Sequence, residues 1–425
     1  MPGRFRNAQE LWPRALAASG VLGRCCRHGP SFSIPGVLPP ATLARPCAAR
    51  HSGSCPAAAL ATAMDGGSAK NAGAVFRHSM CVAALGLLPG AGGSCYYSGS
   101  MSTRHALLKL LADGAFHSGP VLGERLGVSR AAVNKAIQSL VESGADIHRV
   151  SGRGYRLGEP FVPLSAAPIG ALLAERQVQA DIDIFDEVDS TNQQLLRTPE
   201  LSSGCVCLAE AQSAGRGRRG RGWVATACHN ILLSMSWRLE TGPAGLAGLS
   251  LAAGVAVLRA LEEFGVRDAG LKWPNDILRD GRKLAGLLID LRGEASGPSL
   301  VVLGLGLNVH LAPYEAALID QPWTSLRECL PAPVDRNRLA GLLILHLDEM
   351  FRCFERAGFE AFRAEWERRH LYAGQAVRLQ SGHEEVFGTV AGIDAQGGLC
   401  VQLVGGELRT FHSGDVSLRA LHGTA

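Results

Sequence analysis

The chain has 425 residues, room for two to four domains at the ordinary ~100–200 residues each. Hydrophobic residues make up 47% and charged residues 19%, which excludes a wholly disordered chain and a short disulfide scaffold. The net charge of +4 is unevenly spread: residues 1–100 carry nine basic and two acidic residues, leaving 33 basic against 36 acidic in the remainder, so the overall balance says nothing about the folded part.

Residues 1–100 are rich in Ala, Gly, Pro, Ser and Arg and show no sustained period. They are expected to be a disordered or mis-started extension; an Arg-rich, acid-poor transit peptide is the other reading. Met64, Met80 and Met101 offer later starts. Six of the twelve Cys fall in this segment, including adjacent Cys25 and Cys26, without a zinc spacing. No run reaches 18 consecutive apolar residues, so no membrane span is expected.

Periodic structure begins after residue 100. Leu107, Leu108 and Leu111 predict a helix over Thr103–Ala112, and Phe116–Pro120 a turn. Val121, Leu122 and Leu126 predict a second helix ending at Gly127. Ser129 then caps a third, with Val133, Ile137, Leu140 and Val141 on one face and Gly144 closing it. Asp146–Leu157 reads as a hairpin around Ser151-Gly152-Arg153-Gly154. Together, residues 101–160 form a winged helix-turn-helix domain. Opposite the third helix's apolar stripe lie Arg130, Asn134, Lys135 and Gln138, with Ala131 beside them; the hairpin adds Arg149, Arg153 and Arg156. Such residues contact phosphates and base edges when a helix enters the major groove.

Pro160 and Pro163 mark a linker. Strands are expected at Ile182–Val188, Val206–Glu210, Ile231–Leu239, Leu284–Leu291 and Leu300–Asn308, and helices at Ala244–Phe264 and Arg336–Ala357. This predicts an α+β catalytic domain over residues 165–370. Short strands with turns at Ser381-Gly382, Gln396-Gly397-Gly398 and Gly405-Gly406 predict a small β-barrel over 371–425.

Two stretches suggest chemistry. Gly215-Arg216-Gly217-Arg218-Arg219-Gly220-Arg221-Gly222 has four glycines and four arginines in eight residues. Gly lets backbone approach a ligand, and guanidinium forks suit carboxylate and phosphate, so this reads as a loop that closes on a polyanion. It also fits G-x-G-x-x-G, but a dinucleotide fingerprint must open a helix and this stretch leads toward a strand. Lys272-Trp273-Pro274-Asn275-Asp276 precedes Lys283-Leu284-Ala285-Gly286. Lys283 opens an apolar run, needs an anionic partner there, and can hold a carboxylate and a developing negative charge together. Asp276 either orders the loop or helps bind a metal. Ser190-Thr191-Asn192 after Asp189 offers hydrogen-bonding side chains at a strand end, or a helix N-cap. Cys205 and Cys207 share a strand face and read as core. No H-E-x-x-H, paired C-x-x-C or G-x-S-x-G motif is present.

These pieces resemble, in order, the bifunctional biotin–protein ligases that also repress the biotin operon, the BirA type. The matching segments are Ser129–Lys135, Asp189–Asn192, Gly215–Arg221, Lys272–Asp276, Lys283–Gly286 and Gly304-Leu305-Gly306-Leu307-Asn308. Gly388…Gly392-Ile393-Asp394…Gly397 and Ser417-Leu418-Arg419 complete the set, and coverage is about residues 101–420. The resemblance implies a winged helix, a mixed-sheet ligase domain of class II synthetase type and an SH3-like barrel. It implies that Ser190, Thr191, Asn192 and Gln212 line a biotin site. Arg216, Gly217 and Arg218 would hold the biotin carboxyl and the phosphates, and Gly286 and Gly304 would let backbone close on the ligand. Lys283 would act on the carboxylate in adenylation, with Arg216 and Arg218. Trp223 would cover the adenine, with Arg219, Arg221, Asp276 and Asn308 around the adenylate. ATP and Mg²⁺ are the implied cofactors, without a protein metal site. Implied partners are the biotin carboxyl carrier protein, operator DNA and, on adenylate binding, a second copy, all in the cytoplasm. A ligase with a silent winged helix is the main alternative. A lipoate ligase or octanoyltransferase is the other, and the Gly/Arg loop and winged helix argue against it.

Overall fold

The computed structural model describes residues 102–420 apart from 143–144, 225–228, 294–296, 312, 332, 382–383 and 413–415. The expected extension, the helix-closing Gly144 and the Gly382 turn lie outside the described residues.

Helix α1 (Thr103–Leu111) starts at Ser102, whose side chain accepts from His105 N. Helix α2 (Gly119–Leu126) begins inside the stretch expected to be a turn. Ser118 caps it and Pro120 occupies its first turn, where a missing N–H leaves nothing unpaired. Ser129 Oγ accepts from Ala132 N at 3.2 Å and opens α3 (Arg130–Glu142). The buried stripe of α3 is Val133, Ala136, Ile137 and Leu140. Val141, expected inside, is 46% exposed: the core takes Ala136, one turn closer to the stripe's centre. Strands β1 (Ile147–Val150) and β2 (Gly154–Leu157) pair antiparallel as the wing. Leu107, Leu111, Leu122, Ile137, Tyr155 and Leu157 share one core with these helices.

The linker is not a loose tether. Phe161 and Leu164 are buried. Leu164 N donates to Glu210 Oε1 at 2.8 Å, and Arg336 donates to Val162 O at 3.2 Å. Arg336 and Glu210, each 1% exposed, pair at 2.7 Å, and Arg336 also reaches Asn230 O at 2.8 Å. On the helical side, Lys109 meets Asp186 at 2.8 Å.

Next come α4 (Ala166–Glu175), β3 (Asp181–Val188), α5 (Thr191–Arg197), β4 (Cys205–Gln212), β5 (Ile231–Leu239), α6 (Leu249–Phe264), β6 (Ala269–Lys272) and β7 (Asp276–Arg279). They are followed by β8 (Arg282–Gly293), β9 (Ser299–Leu307), α7 (Pro313–Ala316), α8 (Arg336–Ala357) and α9 (Glu360–Arg369). Seven strands form one sheet in the order β3-β4-β5-β9-β8-β7-β6. Only β3–β4 is parallel, so the sheet is mixed, as expected. Alternation along β4 divides the cores: Val206 and Leu208 join the large cluster with α6 and α8, while Cys207 packs with Leu195 of α5 and Val302. Cys205 packs against that smaller cluster, in line with the core reading of this pair. The segment Pro243–Phe264 is long and apolar enough to cross a membrane by length and composition, yet most of it is buried among the other elements. Its first turn is 3₁₀, and α6 proper begins only after Gly248.

The C-terminal unit has β10 (Ala376–Ser381), β11 (Glu384–Ile393), β12 (Leu399–Leu403), β13 (Leu408–Phe411) and β14 (Val416–Ala420), all antiparallel, in the order β13-β12-β11-β10-β14. Among the described residues no ladder joins β13 to β14, and the strands form a five-stranded antiparallel sheet. It is fixed to the catalytic sheet: Trp273 Nε1 donates to Gly397 O at 2.9 Å, and Gly397 stands where a Cβ would lie 2.8 Å from Leu251.

Removing one partner of a buried ion pair typically costs about 3–5 kcal/mol because the other charge stays buried. Arg336→Ala should therefore destabilise the chain by about that amount in chemical denaturation, well beyond the loss from an exposed Arg338→Ala. Equal midpoints for the two variants would contradict the anchoring role.

Candidate functional site

A cavity of about 790 Å³ opens over β8, β9, the end of β4 and the β6–β7 hairpin. It gathers nearly all the residues singled out from sequence: Ser190, Thr191, Asn192, Gln212, Arg216, Gly217, Arg218, Arg219, Arg221, Trp223, Asp276, Lys283, Gly286 and Gly304. Seven lysines and arginines line it against two aspartates, Asp276 and Asp320, so it is built for an anion of several charges.

Its closed end is polar and buried. Asp189 Oδ1 accepts from Ser190 N at 2.8 Å and from Arg197 at 3.0 Å, which fixes the start of α5. The Arg197 hydrogen bonds hold the Asp189 carboxyl below the usual carboxylate range. Gln212 Oε1, at the end of β4, accepts from Thr191 N at 2.7 Å and lies 3.1 Å from Thr191 Oγ1. Ser234 Oγ lies 2.7 Å from Thr191 Oγ1 and 2.5 Å from Asn192 Oδ1. Ser190 stands at the N-cap position but makes no capping bond. Gly304 makes room for this cluster, since a Cβ there would lie 2.3 Å from Asn192 Oδ1.

The Gly/Arg stretch is a loop bonded to itself through its backbone. Gly217 N donates to Arg221 O at 2.7 Å, and Trp223 N to Gly215 O at 2.9 Å, which ties its two arms together. Arg218–Gly220 form a single 3₁₀ turn with Arg219 at φ 59, so no helix follows and the dinucleotide reading stays excluded. Arg216 reaches Asp290 at 3.4 Å, and Arg218 reaches Asn275 Oδ1 at 3.4 Å. The indole of Trp223 lies against β8 and β9: a Cβ on Gly306 would fall 2.3 Å from it and one on Gly286 3.2 Å.

Lys283 meets Asp276 at 2.8 Å, the anionic partner its position demanded. Lys283 Nζ also stands 5.6 Å from the Trp223 ring, and its backbone is clamped by Pro322 O and Thr324 N, both at 2.9 Å. Asn308 is the exception among the expected residues. It is buried and does not line the cavity; its amide donates to Lys283 O at 3.3 Å and Thr324 O at 3.1 Å, so it braces the chain that carries Lys283. Trp273 likewise serves the C-terminal contact.

Residues that local sequence did not single out complete the site. Ser234 and Asp290 lie on other strands and reach the polar end through hydrogen bonds, and Tyr372 and Arg378 come from the C-terminal segment; Asn275 and Gly306, motif members without an expected role, also line the cavity. Burial, with the Asp276 charge close by, raises the Tyr372 hydroxyl above its ordinary value and keeps it a neutral donor.

A second surface lies on the winged helix. Arg130, Ala131, Asn134, Lys135 and Gln138 are all exposed along α3. Gln138 donates to Glu142 at 3.2 Å, and the Tyr155 hydroxyl of the wing donates to Asn134 Oδ1 at 3.2 Å. Exposed Arg153 stands over the Phe116 ring at 4.2 Å.

Comparison with known proteins adds the following. Residues 184–308 match the biotin/lipoate A/B protein ligase family, 372–419 the biotin protein ligase C terminal domain, and 103–156 an HTH domain. The bifunctional ligase/repressor BirA of Escherichia coli (strain K12) is 42% identical over 315 residues, 74% of this chain and 96% of that protein. The biotin–[acetyl-CoA-carboxylase] ligase of Mycobacterium tuberculosis is 41% identical over 243 residues, 55% of this chain and 88% of its own length. The solved biotin protein ligase of Aquifex aeolicus in complex with biotin and ATP is 29% identical with a TM-score of 0.49, covering 56% of this chain and 98% of that one.

The contact between Gly306 and Trp223 gives a direct test. A methyl at 306 must displace the indole, and overpacking of this kind costs about 1–3 kcal/mol, a factor of roughly 5 to 150. Gly306→Ala should raise KM for ATP by a factor in that range, shift tryptophan emission and leave KM for biotin less affected. An unchanged KM for ATP would show that the slot between Gly286 and Gly306 has no part in nucleotide binding.

Proposed function

The chain belongs to the family of bifunctional biotin–protein ligases and repressors, and on that premise we propose how its residues carry the work. It is an ATP-dependent biotin–protein ligase joined to a helix-turn-helix DNA-binding domain. One observation carries the reading: a buried polar pocket, a four-arginine loop and Lys283 converge on a single cavity.

In the first step a biotin carboxylate oxygen attacks the α-phosphorus of ATP, giving biotinyl-5′-AMP and releasing pyrophosphate. The polar end formed by Ser190, Thr191, Asn192 and Gln212 takes the ureido head, which offers both donors and an acceptor. Arg216, the Gly217 backbone and Arg218 hold the carboxylate and the α-phosphate. Lys283 lies where negative charge grows, and Asp276 aims it before substrate arrives; such preorganised charge acts most strongly on the transition state. Trp223 covers the adenine, with Arg219 and Arg221 at the phosphates, while Asn308 braces the Lys283 backbone. In the second step a lysine amine of the carrier protein attacks the acyl carbon of the mixed anhydride and AMP leaves. The enzyme supplies no nucleophile, since the adenylate already makes the carboxyl a good acyl donor.

Among the described residues no group of three or more His, Cys, Asp or Glu could hold a metal alone. Mg²⁺ would come bound to the triphosphate, with Asp276 and Asp320 as the carboxylates nearest to hand, and would offset phosphate charge. The C-terminal sheet is read as an SH3-like barrel that covers the cavity mouth through Tyr372 and Arg378. The acceptor is a biotin carboxyl carrier protein, and operator DNA is held by α3 and the wing, both in the cytoplasm. The adenylate orders the arginine loop and favours a homodimer, which brings two winged helices to two half-sites.

Two measurements test this. Losing one preorganised donor typically lowers rate on the order of 10²–10³, so Lys283→Ala should release pyrophosphate from biotin and ATP that much more slowly. A rate near that of the unaltered chain would remove Lys283 from the chemistry. For the repressor half, operator affinity measured at fixed salt should rise roughly 5- to 150-fold when biotin and ATP are added. Equal affinity in both conditions would leave a ligase with a silent winged helix.

A further inference from the structure

Asp290 of β8 does not line the cavity, yet one of its oxygens joins the cavity's two halves. Oδ2 accepts from Asn192 Nδ2 at 3.0 Å and lies 3.4 Å from Arg216 Nη1. Asn192 belongs to the buried polar end, and Arg216 opens the arginine loop. We propose that Asp290 is a positioning residue that couples occupancy of the biotin pocket to the placement of the arginine loop. The proposal rests on the ligase reading of this site.

Proton order links the two halves. An ionised carboxylate only accepts. Asn192 must therefore turn its NH₂ toward Asp290, where Leu288 O also accepts at 3.3 Å, and its oxygen toward Ser234. An amide oxygen cannot donate, so the 2.5 Å contact requires the Ser234 hydroxyl to donate to Asn192. The Ser234 oxygen is then left to accept from Thr191 at 2.7 Å, while Gln212 Oε1 takes the Thr191 N–H. Gln212 has thus committed its oxygen, and its NH₂ faces the root of the loop: a Cβ on Gly215 would lie 3.1 Å from Nε2. The chain of contacts runs Arg216–Asp290–Asn192–Ser234–Thr191–Gln212 and returns to the loop beside Gly215. The negative charge thus sets the direction of the bonds from Asn192 through Ser234 to Thr191, and the Thr191 N–H fixes the Gln212 amide.

The two ends differ in strength. Asn192 and Ser234 are buried, whereas the Arg216–Asp290 pair is partly exposed and long, so Arg216 is the member that can be redirected. A ligand that hydrogen-bonds to Asn192 or Thr191 changes what Asp290 accepts, and through it where Arg216 is held.

The test uses the full chain with biotin as the probe. In the unaltered protein biotin should slow trypsin cleavage after the loop arginines. Asp290→Asn keeps the shape but can present a donor to Asn192 and loses the charge for Arg216. It should melt near the unaltered temperature, lose most of the biotin-dependent protection, and raise KM for biotin by a factor within the usual coupling range of roughly 5 to 150 while kcat changes less. Asp290→Glu, which keeps the charge, should recover most of the protection. Protection retained in Asp290→Asn, or a Glu variant as impaired as the Asn variant, overturns the proposal. If the unaltered chain shows no biotin-dependent pyrophosphate release, the ligase reading fails first and this role falls with it.

Discussion

The site depends on one charge pair held across a hairpin. Lys283 is the second residue of a largely apolar strand, and the 2.8 Å contact with Asp276 on the neighbouring strand lets its ammonium remain there. Asp276 in turn is placed by the turn that carries Trp273 and Asn275. Asn275 donates to Leu287 O at 2.6 Å and receives Arg218, so the turn, the lysine strand and the arginine loop form one connected unit. Cations aimed at a common point repel one another, and fixing them before substrate arrives takes a scaffold that cannot relax. The mixed sheet provides it, with β7, β8 and β9 antiparallel neighbours whose register sets where each side chain emerges.

Glycine does the complementary work. On the strands beneath the cavity, Gly304 admits Asn192, and Gly286 and Gly306 admit the face of Trp223. The sequence pattern Gly-Leu-Gly-Leu is thus one strand with two faces: leucines toward α6 and α8, glycines toward the site.

How much of this was legible beforehand follows from the kind of signal each part leaves. The winged helix could be read almost residue by residue, because caps, a helix-ending glycine and a 3.6-residue period all agree. The strands of the catalytic core stood out as apolar runs. Strands β6 and β7 did not: four residues each around a Trp-Pro-Asn turn carry too little period. Helices α4 and α9 were likewise not assigned, whereas α5 follows the N-cap alternative read at Ser190. Motif residues were found because the arginine loop, Lys-Trp-Pro-Asn-Asp and Lys283 are locally unusual. Asp290, Ser234, Tyr372 and Arg378 are locally ordinary, and only strand pairing and the packing of the C-terminal sheet bring them to the cavity. Asn308 shows the converse, since its motif placed it at the ligand while its amide is occupied behind Lys283. Val141 shows that a stripe read as i, i+4, i+7, i+8 overshoots the edge of a narrow helix face.

The buried Arg336–Glu210 pair has a consequence for modularity. Residues Val162–Leu164 hang from that pair, so the last stretch of what reads as a linker is structurally part of the ligase, while Phe161 packs in the winged-helix core and its N–H donates to Ala112 O at 3.1 Å. A natural seam for recombination therefore falls just after Phe161. A different reader head, or none, can be spliced at that point with the synthetase's interior intact, whereas a cut a few residues later removes a structural strap and exposes a charged pair. The fold thus allows DNA reading and acyl transfer to be inherited separately.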